Sequence, residues 1–175
     1  MTQCIEDYAV LLAPLEAAAA GKAPGTAIEW SEEQLSSFEL VKNSLKNLKT
    51  IHVPKPTDLL DIYSDYSQTN KAVGGKLIIT RTLDDGSTKK LQGGHFSARL
   101  NKHQQNWWPC EGEALGVRLV TQHFTPHIRE NSNITKVHTD NLPTVHAWRR
   151  LKTGAFSSSA CVASFLTGLS TLRVE

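Results

Sequence analysis

The period of the apolar positions changes along the chain, and each change marks an element. Tyr8, Leu11, Leu12 and Leu15 recur at helical spacing, and Gly21 to Gly25, with Pro24, ends that helix. Ser31, with Gln34 three residues on, is a capping-box start signal, and Trp30 precedes it. Leu35, Phe38, Val41, Leu45 and Leu48 then form one apolar stripe over roughly five helical turns. Pro54 and Pro56 stop any helix. Beyond them the pattern predicts strands. Leu59, Leu60, Ile62 and Tyr63 lead a first strand to Asp65, and residues 73–83 make a second around Leu77, Ile78 and Ile79. Asp84-Asp85-Gly86-Ser87 is a hairpin turn, and residues 91–100 make a third strand in which Gly93 and Gly94 mark a bulge. After a polar loop with Trp107 and Trp108, a helix is predicted over 111–124, carrying Leu115, Leu119 and Val120 and closed by Pro126. A short fourth strand, 134–139, ends at Asp140. A helix starts near Pro143, carries Val145, Trp148 and Leu151, and breaks at Gly154. Ser157 to Ser159 cap a last helix with Val162, Phe165, Leu166 and Leu169, and Arg173-Val174-Glu175 reads as the start of another strand.

Composition narrows the class. A chain of 175 residues, 39% hydrophobic, builds one core and is short for two ordinary domains. A formal charge of +2 neither demands nor excludes a nucleic-acid partner. No stretch is long and apolar enough to span a bilayer. The apolar run 9–20 follows Glu6 and Asp7 and is interrupted by Pro14 and Glu16, which does not fit a leader peptide. Three cysteines far apart, Cys4, Cys110 and Cys161, fit reduced thiols in a cytoplasmic or nuclear protein.

Three acids sit at the ends of predicted elements. Asp65 and Asp140 end strands, and Glu113 lies in the first turn of a helix. If the first and fourth strands lie side by side, Asp65 and Asp140 become neighbours and the intervening helix brings Glu113 over them. Their carboxylates should then lie on the order of 4–7 Å apart. Carboxylates so crowded repel unless cations stand between them, and oxygen ligands select Mg²⁺ or Mn²⁺. Two such ions suit phosphodiester cleavage. Taken singly, each acid also reads as a turn, cap or helix-dipole residue.

The words around these acids resemble the ribonuclease H domain of reverse transcriptases from gypsy-type LTR retrotransposons and retroviruses. Ser64-Asp65-Tyr66-Ser67 matches a Thr-Asp-Ala-Ser strand end, and Val73-Gly74-Gly75-Lys76-Leu77 a Gly-rich second strand. Phe96-Ser97-Ala98-Arg99-Leu100 matches the end of a third strand. Glu111-Gly112-Glu113-Ala114-Leu115-Gly116 matches a Glu-x-Glu helix start, and Thr139-Asp140-Asn141-Leu142-Pro143 a Thr-Asp turn. Upstream, Ala13-Pro14-Leu15, Ile28-Glu29-Trp30-Ser31 and the Phe38-x-x-x-Lys42 helix are similar to the segment joining polymerase thumb to nuclease.

The resemblance implies an α/β ribonuclease H-like fold: a three-strand antiparallel meander, a parallel strand and flanking helices. Residues 1–56 would be a helical thumb or connection segment and 57–175 the nuclease domain. The implied activity is metal-dependent cleavage of RNA in RNA–DNA hybrids, with a polymerase domain upstream. Asp65, Glu113 and Asp140 carry over as metal ligands, Asp65 bridging two Mg²⁺ or Mn²⁺ ions. Glu113 rather than Glu111 takes its place because it adjoins the apolar helix run. Two departures stand out. Tyr66 replaces a small residue, and the family's fourth acid, an Asp beyond a fifth strand, has no counterpart within 175 residues. The second departure implies slow or absent cleavage, and leaves open an inactive fragment that keeps the fold and weak nucleic-acid affinity. Integrase-type transposases order their acids Asp, Asp, Glu, unlike this chain. Arg149, Arg150 and Lys152 are either a solvated helix face or phosphate contacts, and Asn141 could touch sugar or phosphate. His123 and His127 have metal spacing or are helix-end residues. Trp107 and Trp108 stack on bases or pack the loop, and Cys110 is a reactive or an inert thiol.

Overall fold

The central strand alternates strictly. In β1 (Leu59–Ser67), Leu60, Ile62, Ser64 and Tyr66 are buried, whereas Leu59, Tyr63 and Asp65 are exposed. That period of two assigns one face to the core and leaves the other open. The computed structural model describes residues 4–5, 7–48 and 50–175. Glu6, one of the acids that argue against a leader peptide, lies outside them. β2 (Ala72–Thr82) pairs antiparallel with β1, and β3 (Thr88–Arg99) antiparallel with β2. β4 (Lys136–His138) adds parallel to the other side of β1, giving the order β3-β2-β1-β4. Beyond β4, the predicted last strand forms as a short parallel bridge of Thr135 to Val174. Thr135 N–H donates to the Arg173 carbonyl at 2.9 Å, and Val137 N–H to the Glu175 carbonyl at 2.9 Å.

Among the described residues the α-helices are α1 (Tyr8–Ala19), α2 (Glu32–Lys46), α3 (Pro109–His123), α4 (Thr125–Glu130), α5 (Leu142–Lys152) and α6 (Ala160–Thr167), and α2 packs on α1. The core lies between the sheet and α3, α4 and α6. Leu60, Ile62, Leu77 and Ile79 from the strands meet Val120 and Phe124 from α3 and its end, with Leu166 of α6 in the same cluster.

Most expected elements form, with differences at their ends: β1 continues through Asp65 to Ser67, two residues past its expected end. α2 carries both halves of its capping box, Gln34 N–H to Ser31 Oγ at 3.3 Å and Ser31 N–H to Gln34 Oε1 at 3.0 Å. It runs 15 residues, about four turns rather than five. None of its described residues is buried, and Leu35, Phe38 and Leu45 of the stripe are exposed. Pro126 does not end structure but sits in the first turn of α4, where no intrahelical N–H bond is lost. β3 begins at Thr88, because the turn residues 84–87 are followed at once by cross-strand pairs. The bulge falls where expected: Leu77 pairs with Gly94 and Ile78 with Gln92, leaving Gly93 unpaired.

At the opposite end of β1 from Asp65, a polar clasp fixes the chain. Buried Asp58 accepts from Arg81 Nη2 at 2.8 Å and from Lys55 N–H at 2.7 Å. Burial by itself would raise the Asp58 carboxyl, yet the Arg81 guanidinium and Lys55 N–H hold it below its ordinary value. Asn131, just before β4, donates from Nδ2 to the Asp58 carbonyl at 2.9 Å. One cluster therefore ties the starts of β1 and β4.

α3 lies unusually close to the sheet. A Cβ at Gly116 would stand 2.6 Å from Val73 Cγ1 and 3.1 Å from Ser64 Oγ. A Cβ at Gly112, one turn earlier, would stand 2.6–2.8 Å from three atoms of the Tyr66 ring. Only glycine permits this spacing without moving the helix. Gly116→Ala should therefore destabilise the protein by about 1–3 kcal/mol, the usual cost of overpacking, measured by denaturant unfolding. Combined with Val73→Ala it should cost less than the two single changes added together, since the smaller side chain makes room for the new methyl.

Candidate functional site

The parallel register builds the site. β1 and β4 are paired with Tyr63 opposite His138. Two residues further along each strand direction stand Asp65 and Asp140, on matching parity and so on one side. The third acid arrives from α3, whose start is fixed by Pro109 in its first turn and by Glu111. Glu111 Oε2 accepts the Trp108 N–H at 3.2 Å, so that carboxylate is occupied at the helix end. Glu113, two residues on, points to the sheet rim. One oxygen each of Asp65, Glu113 and Asp140 lies within 4.8 Å of the others.

The cluster is electrostatically unsatisfied. Burial, then the charges of Asp140 and Asp65, push the Glu113 carboxyl up to about 7. Its Oε2 atom is buried and has no hydrogen-bond partner among the described residues. A divalent cation would answer both conditions: the donor set is all oxygen, and a double positive charge offsets the crowding. The residues present therefore fit such an ion.

The other candidates are placed as follows. Asn141 caps α5, its Oδ1 accepting from Thr144 N–H at 2.9 Å and from Thr144 Oγ1 at 2.8 Å. Arg149, Arg150 and Lys152 are exposed in the last turn of α5. They stand roughly 12–16 Å along the helix from Asn141 by the rise per residue, away from the carboxylates. Lys152 Nζ sits over the Trp148 ring, 5.5 Å from its centroid. His123 is half-buried against Phe96 and Phe124, and burial lowers its pKa. The two tryptophans part company: Trp107 packs on Phe165 with ring centroids 5.5 Å apart, while Trp108 is 76% exposed. The three cysteines are unpaired thiols.

Sequence reasoning missed the group beside the carboxylates. Tyr63 and His138 stack across β1 and β4, 4.5 Å between centroids and 11° between planes. His138 Nε2 lies 2.7 Å from Asp61 Oδ1, and Lys76 Nζ is 5.5 Å from the Tyr63 ring centroid. Tyr63, Lys76 and His138 line the same groove as Asp65 and Asp140, about 500 Å³ in volume. Tyr63 shares parity with Asp65, and that was the available signal.

Residues 30–136 match the family model of the RNase H-like domain found in reverse transcriptase. The chain belongs to that family. No curated protein sequence matches it. Among solved structures, this RNase H-like domain is similar to a foamy viral protease-reverse transcriptase in complex with an RNA/DNA hybrid. The TM-score is 0.72 at 12% identity, over 99% of this chain and 22% of that one. The dRH form of the foamy viral enzyme with dsDNA gives 0.72 at 12% identity, over 99% and 29%. A further foamy viral complex with dsDNA gives 0.67 at 15% identity, over 99% and 34%. The chain thus spans a fifth to a third of the length of these proteins, and the likeness establishes the α/β RNase H-like fold. No helix of the described residues is long and apolar enough to cross a membrane.

The raised Glu113 pKa gives a pH test. In the folded, metal-free protein Glu113 keeps its proton up to about pH 7, against an ordinary value of 4.5. Its contribution to stability is complete below 4.5 and is lost as pH rises through about 7. His123, with its lowered pKa, slopes the opposite way, so the difference between two proteins is the measurement. In chelator, Glu113→Gln should be increasingly more stable than wild type from pH 5 to 7.5, and Mn²⁺ should reverse the order at pH 7.5. A constant difference across this range would show that Glu113 is not crowded by its neighbours.

Proposed function

We propose that the chain is the nuclease domain of a retroelement reverse transcriptase, of the gypsy LTR type, cutting RNA in RNA–DNA hybrids. The observation that carries this reading is the convergence of Asp65, Glu113 and Asp140 within 4.8 Å, inside a family of reverse-transcriptase domains. Residues 1–56 would be the thumb or connection segment and 57–175 the nuclease, working in the cytoplasm or nucleus beside an upstream polymerase.

In this reading Asp65, Glu113 and Asp140 would together hold two Mg²⁺ or Mn²⁺ ions. Such ions, when bound, activate a water and stabilise the leaving oxygen of a phosphodiester. The chain's own residues set the geometry. β1 presents Asp65, and the bend two residues beyond β4 presents Asp140. The start of α3 orients Glu113 and excludes water from its Oε2 side. Asn141 holds the turn after Asp140 by capping α5. Arg149, Arg150 and Lys152 supply exposed positive charge for phosphates, which positions a duplex without reading its sequence. The hybrid would be recognised by shape and by its 2′-hydroxyls.

The second reading is an inactive fragment that retains the fold. Cleavage separates the two. The 175-residue chain should cut a labelled hybrid slowly with Mn²⁺. Asp65→Asn or Glu113→Gln should slow it about a hundredfold, the scale of losing a positioned group. Binding without cleavage would select the inactive fragment. Calorimetry should show Mn²⁺ binding to wild type and none to Asp65→Asn; equal binding by the two would end the nuclease reading.

A further inference from the structure

We infer that Tyr66 is a positioning residue for Glu113, its hydroxyl placed to donate to the buried Glu113 oxygen when a divalent cation sits on the carboxylates. The inference rests on the reading of the site given above.

The strand alternation turns Tyr66 away from Asp65 and under α3, where it is 7% exposed. Its ring fills the space that a side chain at position 112 would take: Cε1 and Cζ lie 2.6 and 2.7 Å from the ideal Cβ of Gly112. The hydroxyl on Cζ is thereby pressed against the helical turn that carries Glu113. The Tyr66 hydroxyl and Glu113 Oε2 are both buried, and neither has a hydrogen-bond partner among the described residues. One is a donor and the other an acceptor. A tyrosine phenol is a hydrogen-bond donor.

Packing alone does not explain a tyrosine here. Phenylalanine would fill the same volume without burying an unpaired hydroxyl, which is costly. A charged Glu113, held by a cation through one oxygen, leaves Oε2 as a strong acceptor on the Tyr66 side. The phenol then acts on the ligand and not on the ion, in the manner of outer partners that orient metal-bound carboxylates.

The test is Tyr66→Phe, which removes one oxygen and keeps the ring against Gly112. In chelator its melting temperature should equal or exceed that of wild type. Its Mn²⁺ affinity by calorimetry should be about tenfold weaker, within the range for lost outer-partner contacts, and the Mn²⁺-induced rise in melting temperature should shrink. As a second measurement, Mg²⁺ should shift the Tyr66 Cζ NMR signal in wild type. Unchanged Mn²⁺ affinity in Tyr66→Phe, or no Mg²⁺-dependent shift, would overturn the role while leaving the metal site intact if Asp65→Asn still loses binding. Loss of stability in chelator with unchanged affinity would show a packing role only. Equal Mn²⁺ binding by wild type and Asp65→Asn would remove the site itself, and this inference with it.

Discussion

Everything at the rim of this sheet depends on how near α3 lies to β1 and β2. The helix meets the strands through Gly112 and Gly116, spaced one turn apart on the same face. Val73, Ser64 and the Tyr66 ring occupy the room that their missing side chains leave. This contact lowers the first turn of α3 onto the strand ends. Glu113 is then carried to within reach of two aspartates that the sheet has already placed. A helix held further off by ordinary side chains would leave its carboxylate in solvent, and the three acids would be unrelated surface residues. The pairing of Tyr66 with Gly112 is a matched exchange: the larger strand residue is accommodated because the helix residue opposite it has no side chain.

Much of this was legible in the amino-acid sequence, and the reasons are physical. Asp65 and Asp140 could be placed because each lies late in or just past an apolar strand run, Asp65 within β1 and Asp140 two residues beyond β4, and strand direction fixes where that end lies. Glu113 could be chosen over Glu111 by its position beside the helix's apolar run, and the structure gives Glu111 the Trp108 N–H instead. The capping residues Ser31 and Ser159 act locally, within three residues, so their elements begin where the pattern says. What stayed hidden involves contacts distant in sequence. Nothing near Asp58 announces Arg81 as its partner, and nothing near Tyr63 announces His138. The α2 stripe shows the opposite limit: periodicity predicts a helix but not what lies against its apolar side. Pro126 shows how one residue serves two meanings, since proline closes a helix at one place and opens one at the next.

The two ends of β1 are electrostatic opposites. At one end Asp58 is buried with a guanidinium and backbone donors around it, and its charged form is favoured. At the other, Glu113 is partly buried beside two carboxylates, and burial first, then their charges, disfavour its charged form. The same side-chain chemistry therefore holds the fold together at one end of the strand and resists it at the other. Crowded carboxylates with no cation between them are costly, and the clasp lies where it can offset that strain without sharing residues with it.

The register between β1 and β4 has a consequence for how this chain can change in length. Tyr63 faces His138 across a parallel pair, and each acid follows its strand partner by two residues. Gaining or losing one residue between Tyr63 and Asp65, or between His138 and Asp140, would turn one carboxylate to the other side of the sheet. The same indel in the turn at residues 84–87 would alter only a hairpin tip joining β2 to β3. Length variation is thus forbidden over two very short segments and cheap at the far end of the same sheet, even though the forbidden segments lie outside the hydrophobic core.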